Sequence, residues 1–270
     1  MAKRSIQNAT CSATMMDRGA TIISWHPEHA HEALFTSSGA KADDFEFHGG
    51  IPICAPWFGV GRDGFHAPHK HGLVRLVDWR FGGARQLGDA TQIVWELDQM
   101  DVEHLPGAER YPADLHYRFV ATFGARLELQ LTISSPTEPA VIDSAFHSYF
   151  LVNNVEQAEI AGVFDEPLRV SGAHDAIHHD AITPRDTISL RLPDRTIDVE
   201  AAGASDVIVW NPGPDETLPG FAPKDWRRML CVEVGNVQRN AVEIPAGGSH
   251  EMSMVVRVTS KSSLRQLQPR

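Results

Sequence analysis

RLELQLTI, residues 126–133, sets Leu127, Leu129, Leu131 and Ile133 on one side of the chain and Glu128, Gln130 and Thr132 on the other, then stops at Ser134-Ser135-Pro136. A period of two marks a β-strand with one buried face, because successive side chains of an extended chain point to opposite sides. EMSMVVRV (251–258) repeats the pattern with Met252, Met254, Val256 and Val258 inward. Shorter apolar runs, TIISW (21–25), QIVWEL (92–97), YRFVATF (117–123), VIVW (207–210) and LCVEV (230–234), recur between clusters of Gly, Pro, Asn and Asp. The chain has 21 Gly and 17 Pro for turns and shows no long amphipathic helix. This predicts an all-β fold, a large antiparallel β-sandwich or barrel, and excludes alternating β-α-β units. FAPKDWRRM (221–229) predicts one short helix with Trp226 inward.

At 270 residues the chain fits one large β domain or two smaller ones, since all-β domains often run to ~200–250 residues. No Pro- or Ser-rich linker, repeat or low-complexity block interrupts it, so the expectation is a single domain over 1–270, with its core at about 19–258. The polar tail SSLRQLQPR (262–270) reads as loose. An apolar share of 42% is enough for a substantial core, and a net charge of −11 argues against nucleic acid or an anionic membrane as partner. Cys11, Cys54 and Cys231 are far apart and lack metal spacing, which fits reduced structural thiols. No signal-peptide core and no run near ~18 apolar residues is found, so a cytoplasmic protein is expected.

Two segments, AFHSYF (145–150) and MLCVEVGNV (229–237), put His147 and Glu233 inside apolar strands. Burying a carboxylate costs several kcal/mol unless it is paired. A His and a Glu together are ordinary equipment for general acid–base chemistry near neutral pH. A satisfied core histidine would fit the spacing of His147 equally well. Glu233 shares one strand face with Cys231, opposite Leu230, Val232 and Val234, and a ligand-binding face accounts for it economically. HGGIPICAPWFG (48–59) reads either as a rigid turn into a buried strand or as a backbone wall beside a ligand, with Trp57 or Phe58 offering a ring for a sugar to stack on. HAPHKHGLVR (66–75) carries His69-Lys70-His71, but residues 73–77 lack the Glu that a cupin metal site needs, and the segment reads as a functional polar loop. His174, His178 and His179 read as surface histidines.

Several of these segments together resemble the aldose 1-epimerase (mutarotase) superfamily, specifically its glucose-6-phosphate 1-epimerase branch. GATIISW (19–25) is similar to the family's opening strand and EALFTS (32–37) to its next. HGGIPICAPWFG resembles R-G-G-I-P-x-C-x-P-x-F-G, HGLVR (71–75) H-G-F-A-R, FHSYF L-H-T-Y-F, VIVWNP (207–212) V-V-W-N-P, and RRMLCVEVGNV a terminal M-x-C-V-E segment. The matches come in family order over nearly the whole chain.

The resemblance implies a galactose-mutarotase-like β-sandwich that uses no metal and no organic cofactor. Its substrate would be a sugar or sugar phosphate whose α and β anomers it interconverts. Glu233 would be the general base at the anomeric hydroxyl and His147 the general acid at the ring oxygen, each with a pKa near working pH. His71 and Arg75 would hold sugar oxygens or the phosphate, and Asp186, with Asp194 as rival, would be the sugar-binding aspartate. The branch's R-G-G arginine, one of its phosphate-binding cations, is His48 here, which weakens the case for the 6-phosphate more than that for epimerisation. An epimerase of unphosphorylated sugars and a non-catalytic sugar-binding protein are the alternatives.

Overall fold

The computed structural model describes residues 2–41, 47–62 and 64–261; the tail 262–270, expected to be loose, lies outside them. Two antiparallel sheets form its frame. In the larger, the spatial order is Glu159–Ala161, Thr187–Arg191, Arg195–Ala202, Gly248–Ser260, Leu127–Ser135, His116–Phe123, Ala90–Asp98 and Arg80–Leu87. The stretch that decided the fold class is thus a central strand. Leu129 lies between Met254 and Ala121, and Leu131 between Met252 and Phe119, so all inward residues of three strands meet in one layer of the core. Slipping Leu127–Ser135 by one residue would turn four buried aliphatic side chains outward. At ~1.5–3 kcal/mol each that costs roughly 6–12 kcal/mol, as much as the whole stability of a typical domain. Burial therefore sets the register.

The second sheet runs His174–His178, Asp206–Asn211, Met229–Asn236, Ser144–Phe146 and Ile53–Cys54. Tyr149–Leu151 also pairs with Met229–Asn236, on the same side as Ser144–Phe146. Its inward residues, among them Phe146, Phe150, Val207, Val209, Leu230, Val232 and Val234, close the core against the larger sheet. All eight residues of Met229–Asn236 are buried, so its outer face is covered as well. On that side Met229 and Cys231 pack with Phe35 and Tyr149, while Cys54, Phe58, Ala145, Ile208 and Val237 form a second small cluster. A three-stranded meander, Lys3–Gln7, Cys11–Met16 and Ile22–Pro27, completes the N-terminal part. Its buried Asp17 accepts from Arg4 and from Trp95 Nε1 of the larger sheet.

The antiparallel all-β expectation and the inward sets of the quoted strands agree with the structure. The short helix is a 3-10 turn, Asp225–Arg228, with Trp226 buried. All three cysteines are buried and free. Among the described residues no helix is long and apolar enough to cross a membrane.

Candidate active site

The outer face of the second sheet carries two cross-strand rows. In the first, Asp175 pairs with Trp210, Trp210 with Cys231, and Cys231 with Tyr149. In the second, Ile177 pairs with Ile208 and Ile208 with Glu233. Phe146 opposes Val234 and Tyr149 opposes Cys231, so counting between them sets His147 opposite Glu233. These rows, apart from Cys231, line a cavity of about 520 Å³. That volume lies within the ~300–1,000 Å³ usual for small-molecule sites. The far wall comes from residues 48–75, which contribute His48, Phe58, Lys70, His71 and Arg75.

Local backbone demands explain the motif around His71. Leu73 and Val74 both donate to the carbonyl of Ala55, which draws the 71–75 turn tightly onto that strand. A Cβ at Gly72 would sit 1.9 Å from that same oxygen, and its φ is +78°, so only glycine fits. The turn buries Leu73 and Val74 and leaves His71 and Arg75 at the cavity. The Gly59 N–H donates to His71 Nδ1 at 3.4 Å. That nitrogen is therefore the acceptor and Nε2 carries the hydrogen, which makes His71 a neutral donor.

At the cavity floor, His147 Nδ1 lies 3.5 Å from Glu233 Oε1. Both side chains are almost wholly buried, at 6% and 1% exposure. His147 Nδ1 and Glu233 Oε2 have no hydrogen-bond partner among the described residues. The His147 ring stacks on Tyr149, 4.8 Å between centroids at 11°, and meets His71 edge-on at 5.1 Å. Burial pushes His147 down to about 3, and Arg75 and then His48 add to this. Burial also lifts Glu233 well above the ordinary carboxylate range, with Asp175 adding to the effect. Working pKa values near neutrality were expected for both groups. Loss of solvation drives each toward its uncharged form, which takes His147 far below that range and moves Glu233 up toward it. His71 is likewise held well below its usual value, first by burial and then by its neighbours His147, Arg75, Lys70 and His48. Burial keeps the Tyr149 phenol protonated.

The structure thus brings His147, Glu233, His71, Arg75 and His48 to one cavity, and corrects two other expectations. Trp57 is fully buried, stacked on Tyr111, edge-on to Phe65, and donating to the His69 carbonyl. A flat ring of that size is worth more in the core than at a wet wall, and no face is left for a sugar; Phe58 borders the cavity instead. Asp186 accepts from the Thr183 N–H and hydroxyl and closes a turn leading into the larger sheet. Its rival Asp194 pairs with Arg195, and neither aspartate borders the cavity. Among the described residues the aspartate that does is Asp175, which sequence reading missed, as it missed Trp210 and Asn211.

His174, read as a surface residue, also lines the cavity, while His178 and His179 are half-buried. His69 and His71 diverge, since the His69 ring packs on Trp57 and the His71 ring on Phe58. Among the described residues, one trio brings three metal-ligating atoms within 4.8 Å of one another: His147, Cys231 and Glu233.

Residues 3–181 match the family model described as aldose 1-epimerase. The chain is similar to a protein of Escherichia coli K12 provisionally named glucose-6-phosphate 1-epimerase, 26% identical over 263 residues, covering 89% of this chain and 86% of that one. A Salmonella typhimurium LT2 protein of the same provisional name is 26% identical over 246 residues, covering 84% and 81%. A crystal structure from Salmonella typhimurium, described provisionally as a mutarotase, superposes with a TM-score of 0.83 at 20% identity over 96% of this chain and 90% of that one. This last likeness concerns the fold.

Proposed function

The chain belongs to the aldose 1-epimerase family, and from that premise we propose that it interconverts the α and β anomers of an aldohexose 6-phosphate. The observation that carries this reading is the pair His147 and Glu233, face to face at 3.5 Å on the floor of the cavity. Each has a polar atom with no hydrogen-bond partner among the described residues. A hemiacetal offers what such a pair lacks, a hydroxyl proton for a carboxylate and a ring oxygen for an imidazole N–H.

In the proposed reaction Glu233 takes the proton from the anomeric hydroxyl. The bond between the anomeric carbon and the ring oxygen breaks, and its electron pair goes to that oxygen, which takes a proton from His147. The aldehyde turns about the adjacent carbon–carbon bond and is attacked on its other face. Glu233 then returns its proton to the new anomeric hydroxyl, and His147 recovers one from the ring hydroxyl.

The reactive ionised pair and the resting uncharged pair hold the same number of protons. A single transfer across the 3.5 Å gap converts one into the other. Burial is the main cause of the depressed His147; a phosphate dianion beside Arg75 offsets the positive charge that adds to it, and so favours the reactive form. This gives the 6-phosphate a part in turnover as well as in binding.

Arg75, Lys70 and His48 border the same cavity and supply local attraction to an anion on a chain of net charge −11. Neutral His71 and the carboxylate of Asp175 suit sugar hydroxyls. The presence of Asp175 and Glu216 at this cavity favours a second reading, in which an unphosphorylated sugar is preferred. The test is magnetisation exchange between anomer signals, read as kcat/KM for glucose and for glucose 6-phosphate. Faster exchange for the phosphate supports the first reading and equal rates the second. Exchange at the spontaneous rate for every hexose and hexose phosphate tried refutes both.

A further inference from the structure

We propose that His147, Cys231 and Glu233 form a binding site for a zinc-class divalent cation, and that the bound ion shuts down the sugar chemistry of the cavity. Zinc takes nitrogen, sulfur and oxygen ligands at about 2.0–2.3 Å, which sets ligand atoms of a tetrahedral site roughly 3.3–3.8 Å apart. His147 Nδ1 and Glu233 Oε1 already stand at 3.5 Å, and all three ligand atoms lie within 4.8 Å of one another.

The sheet itself holds this geometry. Cys231 and Glu233 are two apart on one strand face, and His147 faces Glu233 from the adjacent segment of the same sheet. Two of the polar atoms, His147 Nδ1 and Glu233 Oε2, are buried without a hydrogen-bond partner among the described residues. Buried polar atoms left unsatisfied in this way are what an arriving cation would bind.

Cys231 binds as the thiolate, so its proton leaves to solvent as the ion enters. Three protein ligands leave the fourth position open toward the cavity, for a water or a sugar oxygen. The thiolate and imidazole select zinc or cobalt over magnesium, which prefers oxygen ligands.

Cobalt, titrated into the full chain, is the first probe. The expected result is one tightly bound ion with a thiolate-to-cobalt charge-transfer band in the near ultraviolet, displaced by one equivalent of zinc and untouched by magnesium. Histidines elsewhere among the 14 bind metal without that band. Cys231→Ala should lose the band and weaken zinc binding by more than the ~10–100-fold that loss of an outer-shell partner costs. His147→Asn, which keeps the thiol, should weaken zinc to a similar extent and guards against a misfolded cysteine variant. No thiolate band, or a band that survives Cys231→Ala, overturns the site.

The inhibition rests on the proton-transfer roles proposed above and is measured separately. Zinc should suppress anomer exchange in wild type, chelator should restore it, and Cys231→Ala should be resistant. Zinc that displaces the cobalt band but does not inhibit upholds the site and refutes those roles instead.

Discussion

Replacing Glu233 by Gln should lower activity and raise stability, and the second effect has a pH signature that can be worked out in advance. Unfolded, the carboxyl titrates near 4.5 and the His147 ring near 6.5; folded, Glu233 is raised well above 4.5 and His147 is lowered to about 3. From pH 4.5 up to the pH at which folded Glu233 ionises, the folded pair carries one proton, on Glu233; while the unfolded His147 also holds one, below 6.5, their joint contribution to stability is flat. Wherever Glu233 keeps its proton beyond the loss of the unfolded His147 proton, stability falls as pH rises. In Glu233→Gln only His147 titrates. The unfolded state alone binds its proton from pH 3 to 6.5, so stability rises over that window and is level above it.

The variant should therefore gain on wild type by about 1.4 kcal/mol per pH unit from 4.5 up to the pH at which folded Glu233 ionises, the value of one proton per decade. Urea unfolding followed by tryptophan fluorescence at pH 5 and pH 6 measures it, at constant ionic strength. The same samples should lose ~10²–10⁴-fold in anomer exchange, or about 3–5 kcal/mol of barrier. Parallel pH slopes for the two proteins would mean that Glu233 is ionised in the fold, and retained exchange would remove it from the chemistry.

His147→Asn should also cut turnover by ~10²-fold or more, and should flatten the rise of stability between pH 3 and 4.5 that the folded-state depression of His147 produces in wild type, read by acid unfolding. Trp57→Ala should destabilise the fold by ~3–5 kcal/mol, as for other large buried aromatics. The milder Trp57→Phe should lower the unfolding midpoint while leaving KM unchanged; a raised KM at full stability would return Trp57 to the sugar site. His48→Arg should raise kcat/KM for glucose 6-phosphate and leave that for glucose unchanged, because arginine adds a permanent cation to the cavity wall. Arg75→Ala should lower the phosphate's kcat/KM more than glucose's, with the gap narrowing as salt is added; equal losses would point to the unphosphorylated sugar.

What this sequence determined by itself is what depends on neighbours along the chain. The alternation in 126–133 and 251–258 dictated strand, inward face and, through the cost of a slip, register, because side-chain direction repeats every two residues. The anomaly of Glu233 in an apolar strand was legible for the same reason, and so was the glycine of HGLVR between the polar His71 and the apolar Leu73. Position across strands was not legible. Asp175 and Tyr149 lie 26 residues apart yet share one row through Trp210 and Cys231, which only strand pairing decides. Trp57 and Asp186 show the same limit from the other side: one ring faces the core and one carboxylate closes a turn, and no local pattern distinguishes those fates from a place at the cavity. The protonation of the pair was also a tertiary outcome. His147 and Glu233 carry ordinary affinities for a proton until packing removes the water around them and sets Arg75 on one side and Asp175 on the other, and desolvation and charge at that scale act through space, not along the chain.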